Sequence, residues 1–159
     1  MVDQLTFPKL RSYIESHLEQ GEEPSSCWNL ERYIFHLYKI SLDPADQIDE
    51  SFPNAIDLEN LEQLKTQLQL RPGVYTFFYE NSVEFHYFSC VVTKDASVDI
   101  VQTYGGINRL IRKHMPQQQW IDEFVSASLY HHALGLPKPN AKPEDLVMQT
   151  LRYRRLVGI

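Results

Sequence analysis

The stretch Val83-Glu84-Phe85-His86-Tyr87-Phe88-Ser89-Cys90-Val91-Val92-Thr93, then Lys94-Asp95-Ala96, then Ser97-Val98-Asp99-Ile100-Val101-Gln102-Thr103, decides the fold. Both arms are rich in β-branched and aromatic residues and the break between them is short and polar, so the segment reads as a β-hairpin. With the turn centred near residue 95, Val92 pairs with Val98, Cys90 with Ile100 and Phe88 with Gln102. Strand side chains alternate, which puts His86, Phe88 and Cys90 on one face. Gln102 then lies diagonal to His86, about 7 to 8 Å away by backbone spacing, a gap that two long polar side chains close. Asp99 falls opposite Val91, on the other face, and roughly 13 Å or more along the strand from His86 at about 3.3 Å per residue.

Working outward, Arg71-Pro72-Gly73 introduces a further strand, Val74 to Tyr79, joined to the hairpin by a tight turn at Glu80-Asn81-Ser82. Helical patterns flank this meander on both sides. Residues 7 to 19 place Leu10, Tyr13, Ile14 and Leu18 at helical spacing, and Gly21 ends that helix. A second helix runs from Cys27 to about Leu42, with Leu30, Tyr33, Ile34, Leu37 and Ser41 as its stripe. Residues 43 to 56, with Asp43-Pro44 and Phe52-Pro53-Asn54, read as a connecting loop, and a polar helix from Leu58 to about Leu68 follows. Downstream, Gly105-Gly106 closes the last strand. Helices are predicted over Ile107 to Met115, over Gln118 to Leu134 with Trp120, Ile121, Phe124, Val125 and Leu129 as its stripe, and over Pro143 to Arg155 after a break at Leu136-Pro137-Lys138-Pro139-Asn140. The expected architecture is one α+β domain over 1–159: helical 1–70, a β-meander over 73–104, helical 106–159.

Composition bounds the function without choosing it. At 159 residues with 43% hydrophobic content, the chain can bury one substantial core. Fifteen Lys and Arg against 21 Asp and Glu give a net charge of −6, which argues against a general nucleic-acid or anionic-membrane surface. No run approaches the roughly 20 apolar residues of a membrane span. The opening Met-Val-Asp-Gln-Leu-Thr-Phe-Pro-Lys has neither a basic leader nor an apolar core. The expected location is the cytoplasm, or a host or target cell reached without a cleavable signal peptide. Two cysteines make no disulfide framework and are expected to be reduced.

One of those cysteines is placed for chemistry. Cys27 stands in Pro24-Ser25-Ser26-Cys27-Trp28-Asn29, where a loop turns into an amphipathic helix. The unpaired N–H groups and partial positive charge of a helix start lower a thiol from its ordinary value near ~8.5 by about one to several units. In a Cys-His-polar site, Cys27 would attack a carbonyl or amide carbon as a thiolate, forming a covalent thioester, and His86 would take and later return the proton. Gln102 cannot act as a base. Its amide oxygen can accept the imidazole N–H and fix the ring's tautomer and orientation. The Cys27 backbone N–H and Gln20, seven residues upstream, are the expected oxyanion donors. No metal or other cofactor is called for.

These pieces resemble papain-like cysteine peptidases and deamidases, in their compact bacterial effector or toxin form. Ser25-Ser26-Cys27-Trp28 is similar to the Gly-Ser-Cys-Trp stretch at the head of that fold's central helix. His86 with Tyr87-Phe88-Ser89-Cys90-Val91-Val92 resembles its histidine strand, and Ile100-Val101-Gln102-Thr103-Tyr104 its Gln-Ser-Tyr strand end. The resemblance spans about Gln20 to Phe124. It implies a thiol hydrolase or transferase acting on a protein or peptide amide, with peptide cleavage, glutamine deamidation and acyl transfer left open. The chain lacks the family's Gln-x-Gly-x-Cys-Gly pattern before the nucleophile.

A reading from another class stands beside it: a non-catalytic α+β interaction protein, of immunity or adaptor type, whose acidic surface meets a basic partner. Weaker constellations add little. His131 and His132 are helical neighbours pointing about 100° apart and cannot chelate together. His17, His36 and His114 are scattered, and Gly105-Gly106 lacks the rest of a nucleotide loop. Cys90, mid-strand among apolar neighbours, is expected to be buried and inert.

Overall fold

The computed structural model describes residues 27–44, 46–83, 85–102, 111–126 and 142–158. They form α1 (Cys27–Leu37), α2 (Ile48–Ser51), β1 (Asn54–Ala55), α3 (Leu61–Gln67), β2 (Gly73–Glu80), β3 (Phe85–Val92), β4 (Ser97–Gln102), β5 (Ile111–Pro116), α4 (Gln117–Ser126), a 3-10 turn (Pro143–Leu146) and β6 (Thr150–Gly158). The α+β class holds, with one antiparallel six-stranded sheet in the order β1-β6-β2-β3-β4-β5. The expected helix over 7–19, Gln20, Gly105-Gly106, and the segment 127–141 with His131 and His132 lie outside the described residues.

Every residue from Gly73 to Tyr79 is buried, because β2 is a central strand between β3 and β6 with material on both faces. On one face Tyr75, Phe77 and Tyr79 meet Phe88, Cys90, Val98, Ile100, Met115, Trp120 and Leu151 in the larger core. Phe77 and Phe88, directly paired across the strands, stack at 4.9 Å with their planes 1° apart, and the Trp120 indole meets the Phe77 ring edge-on at 6.0 Å. The other face carries a smaller cluster of Phe35, Phe52, Phe78 and Tyr87. The β3–β4 hairpin has the register read from the sequence: Val92 opposite Val98, Val91 opposite Asp99, Cys90 opposite Ile100.

Two expected helices are corrected. Residues 150–155, the last part of the helix expected over Pro143 to Arg155, belong instead to β6, and only Pro143–Leu146 of that helix coils, as a 3-10 turn. Period two wins there: Leu151 and Tyr153 enter the larger core, while Arg152 turns the other way and donates from Nε to the Phe52 carbonyl at 2.7 Å. Residues 111–115, the last part of the helix expected over Ile107 to Met115, belong instead to β5 beside β4, with Met115 opposite Val98 in the same core; residues 107–110 lie outside the described residues. The region 106–159 is therefore a mixture of strand and helix. Within the expected loop 43–56, buried Phe52 anchors a short helix and a two-residue strand.

Gly73 is fixed by packing. A Cβ there would lie 2.6 Å from the Val157 carbonyl oxygen and 2.9 Å from Arg155 Nε. Beside it the β2–β6 register slips between Val74 and Tyr75, and Arg155 folds over the Tyr75 ring to donate to the Pro72 carbonyl at 2.6 Å.

Candidate functional site

His86 is the second residue of β3, and the alternation of that strand turns it toward the Phe88 and Cys90 side. Its Nε2–H donates to Gln102 Oε1 at 2.8 Å, and both side chains are sealed from solvent, at 1% and 0% exposure. The His86 ring also lies 5.5 Å from Tyr79 and 6.4 Å from Phe88. The structure thus joins His86 to Gln102 rather than to Asp99. Asp99 Oδ1 instead accepts from Nδ1 of His114, its direct partner across β4 and β5, at 2.5 Å on the other face.

Cys27 stands in the first turn of α1, as expected, and is half-buried. It packs against the Phe35, Phe52, Phe78 and Tyr87 cluster. Tyr87 follows His86 directly in β3, so the two side chains leave the strand on opposite faces. The sheet lies between Cys27 and His86. Of the three expected catalytic residues, the structure brings two together and sets the thiol apart. The reason is the seating of α1, which rests on the Tyr87 and Ser89 side. Leu30, Glu31, Ile34 and Phe35 are its buried positions, while Leu37, expected in the stripe, is exposed. Gln20 lies outside the described residues.

The seating of α1 reveals a residue the motif reading passed over. Glu31, one turn after Cys27 on the same helix, is fully buried. Its Oε2 accepts from Ser89 Oγ at 3.5 Å, and its Oε1 accepts from no group among the described residues. Burial pushes the Glu31 carboxyl well above the usual carboxylate range, and the Ser89 hydroxyl draws it partly back. The signal was present in the sequence: a carboxylate between Leu30 and Ile34, inside an otherwise apolar stripe. The neighbouring Tyr87 phenol is also pushed up, first by burial and then by the charges of Cys27, Glu31, Asp43 and Asp46.

Cys90 is buried, and burial holds its thiol far above the ordinary range, leaving it unreactive. Toward the other end of α1 an open depression of about 210 Å³ is lined by Arg32, Phe35, His36 and the segment Ile40–Pro44, without Cys27 or His86. Among the described residues no three His, Cys, Asp or Glu side chains gather as metal ligands, and no helix is long and apolar enough to cross a membrane. Neither protein-family models, nor curated proteins, nor solved structures give a match to this chain.

Proposed function

We propose that this chain is a non-catalytic α+β interaction protein, of immunity or adaptor type, that acts in the cytoplasm on a basic protein partner. One observation carries the reading: the helix-start thiol and the His86–Gln102 pair occupy opposite faces of the sheet, with the pair closed to solvent. A general base works within about 3 Å of the proton it takes, and a buried imidazole across a sheet does not meet that condition for Cys27. The binding surface is the segment Asp46 to Glu62. It exposes Asp46, Asp49, Glu50, Asp57, Glu59 and Glu62, contains no Lys or Arg, and carries an exposed apolar side chain at Leu61. Two of these have a cation beside them among the described residues, Asp49 with Arg152 Nη1 at 3.6 Å and Glu62 with Lys65 Nζ at 3.9 Å. Such a field draws a basic surface, and Leu61 gives it an apolar anchor.

The test is binding of an arginine-rich model peptide by fluorescence anisotropy at low and physiological salt. Joint replacement of Asp57, Glu59 and Glu62 by Lys is expected to abolish binding, while Glu144→Lys leaves it intact. Equal binding by both variants sinks the surface assignment.

A second reading is favoured by the His86–Gln102 bond: a papain-like thiol hydrolase or transferase on a protein or peptide amide, a protease or deamidase of the effector or toxin kind. Gln102 holding the proton on His86 Nε2 leaves Nδ1 as the basic nitrogen, the arrangement such a site needs. In this reading the first turn of α1 must cross to the His86 face. Iodoacetamide separates the two. Alkylation of Cys27 faster than a model thiol at about pH 6, and slowed by His86→Ala, selects the enzyme; alkylation no faster selects the interaction protein.

A further inference from the structure

α1 is seated on β3 through a carboxyl that the protein leaves half-served. Glu31 is fully buried, its bond to Ser89 is at the long limit of 3.5 Å, and Oε1 has no donor among the described residues. Among the described side chains, the cations on this face come from β6, where Arg152 lies beside Phe78 and Arg154 beside Thr76, and both are engaged away from Glu31, Arg152 with the Phe52 carbonyl and Asp49 and Arg154 with the Glu50 carbonyl. On α1 the nearest titratable side chain on its face is Cys27, one turn earlier, while Arg32 and His36 are on the exposed side. From β3 come Ser89 and the Tyr87 phenol, and from the segment that follows α1 come Asp43 and Asp46, which add negative charge at Tyr87. Farther across the same face Asp99 is engaged with His114. An ionised carboxylate in this place would meet burial, further negative charge and one weak donor.

We propose that Glu31 is a proton-operated latch: its carboxyl is neutral while α1 lies on the sheet, and its ionisation lifts α1 from β3 and opens the Phe35, Phe52, Phe78 and Tyr87 cluster to water. α1 yields rather than the sheet because β3 is laddered to β2 along its whole length and to β4 along half of it, whereas α1 meets β3 through side chains. The carboxyl is raised in the docked state, so docking is fully favoured below the ordinary glutamate value, near ~4.3, and is lost as pH rises through the raised value. In that window one proton leaves on undocking, and the undocking equilibrium grows about tenfold per pH unit. This device operates without any partner and goes beyond the interaction reading.

The experiment is amide hydrogen exchange of the full chain from about pH 5 to 9, with the intrinsic rate of each amide divided out. Amides of Leu30 to Leu37 are expected to lose protection by up to about tenfold per pH unit while those of β2 and β3 keep theirs. Glu31→Gln removes the α1 dependence. Ser89→Ala removes the donor that favours the ionised form, so the loss of protection starts at higher pH, which keeps the proposal testable if the Gln variant does not fold. Flat α1 protection in the native chain, an unchanged slope in Glu31→Gln, or parallel loss in β2 and β3 would overturn it.

Discussion

His86 and Tyr87 are neighbours in β3, yet they enter two sides of the sheet that are built on different terms. On the His86 side a broad aromatic and aliphatic core encloses one polar pair whose bond is short and sealed. On the Tyr87 side Phe52, Phe78 and Tyr87 receive Phe35 of α1, with Ile48 of α2 beside them, and the buried carboxyl of Glu31 keeps an oxygen with no donor among the described residues. A buried polar group with its partner in place rigidifies a core, whereas a buried carboxyl left wanting weakens the seat of an element that is held by side chains alone. The comparison therefore assigns structure to the side that carried the expected catalytic pair, and responsiveness to the side that motif reading left empty.

The largest effects should separate the two cores. Phe77, fully buried, packs against Phe88, Trp120 and Tyr153, the last at 5.6 Å, and Phe77→Ala is expected to cost about 3–5 kcal/mol. Its neighbour Phe78 faces the smaller cluster, with Phe52 at 5.9 Å and Tyr87 at 5.3 Å, and partly exposed surroundings can collapse into the space it leaves. Phe78→Ala should cost less. Urea midpoints at matched slopes decide this, and equal losses would mean that the two sides are built alike. Next in size is Gln102→Leu, which keeps the volume but takes the acceptor from His86 Nε2–H and should cost about 1–3 kcal/mol.

How much of this was readable beforehand depends on the distance in sequence. The β3–β4 register and the diagonal approach of Gln102 to His86 follow from a three-residue turn and the two-residue period of strands, both local rules, and the structure has that register. Which face of the sheet receives α1 is a different kind of question. It depends on how Leu30, Glu31, Ile34 and Phe35 fit Phe78 and Tyr87, residues some fifty positions away, and period two ranks neither face above the other. β6 was missed for a related reason. Leu151-Arg152-Tyr153-Arg154-Arg155-Leu156-Val157 suits either period, and the free edge of β2 decides for strand.

Glu31 offers a smaller effect with a clear sign. Above the ordinary glutamate range the folded chain holds a proton that the unfolded chain has released, so stability should fall as pH rises, by at most about 1.4 kcal/mol per pH unit, until the raised value is passed. Glu31→Gln removes that loss. Its melting midpoint should exceed the native one at neutral and alkaline pH, and the two should converge in acid. A variant uniformly weaker at every pH would show that the carboxyl contributes through shape alone, and the contrast between the two sides of the sheet would lose its electrostatic half.

The smallest effect tests whether the two sides are independent. Asp99 was set aside as a partner for His86 on register alone, and its bond to half-exposed His114 runs across the opposite face. Solvent screens that pair, so Asp99→Asn should cost only about 0.2–1 kcal/mol. Combined with Gln102→Leu, the two losses should add within about 0.3–0.5 kcal/mol, because β4 points the two side chains to opposite faces of the sheet. A coupling well above that would mean the sheet transmits what happens on the His86 side to the side where α1 is seated, and the latch at Glu31 would then answer to the His86–Gln102 bond as well as to pH.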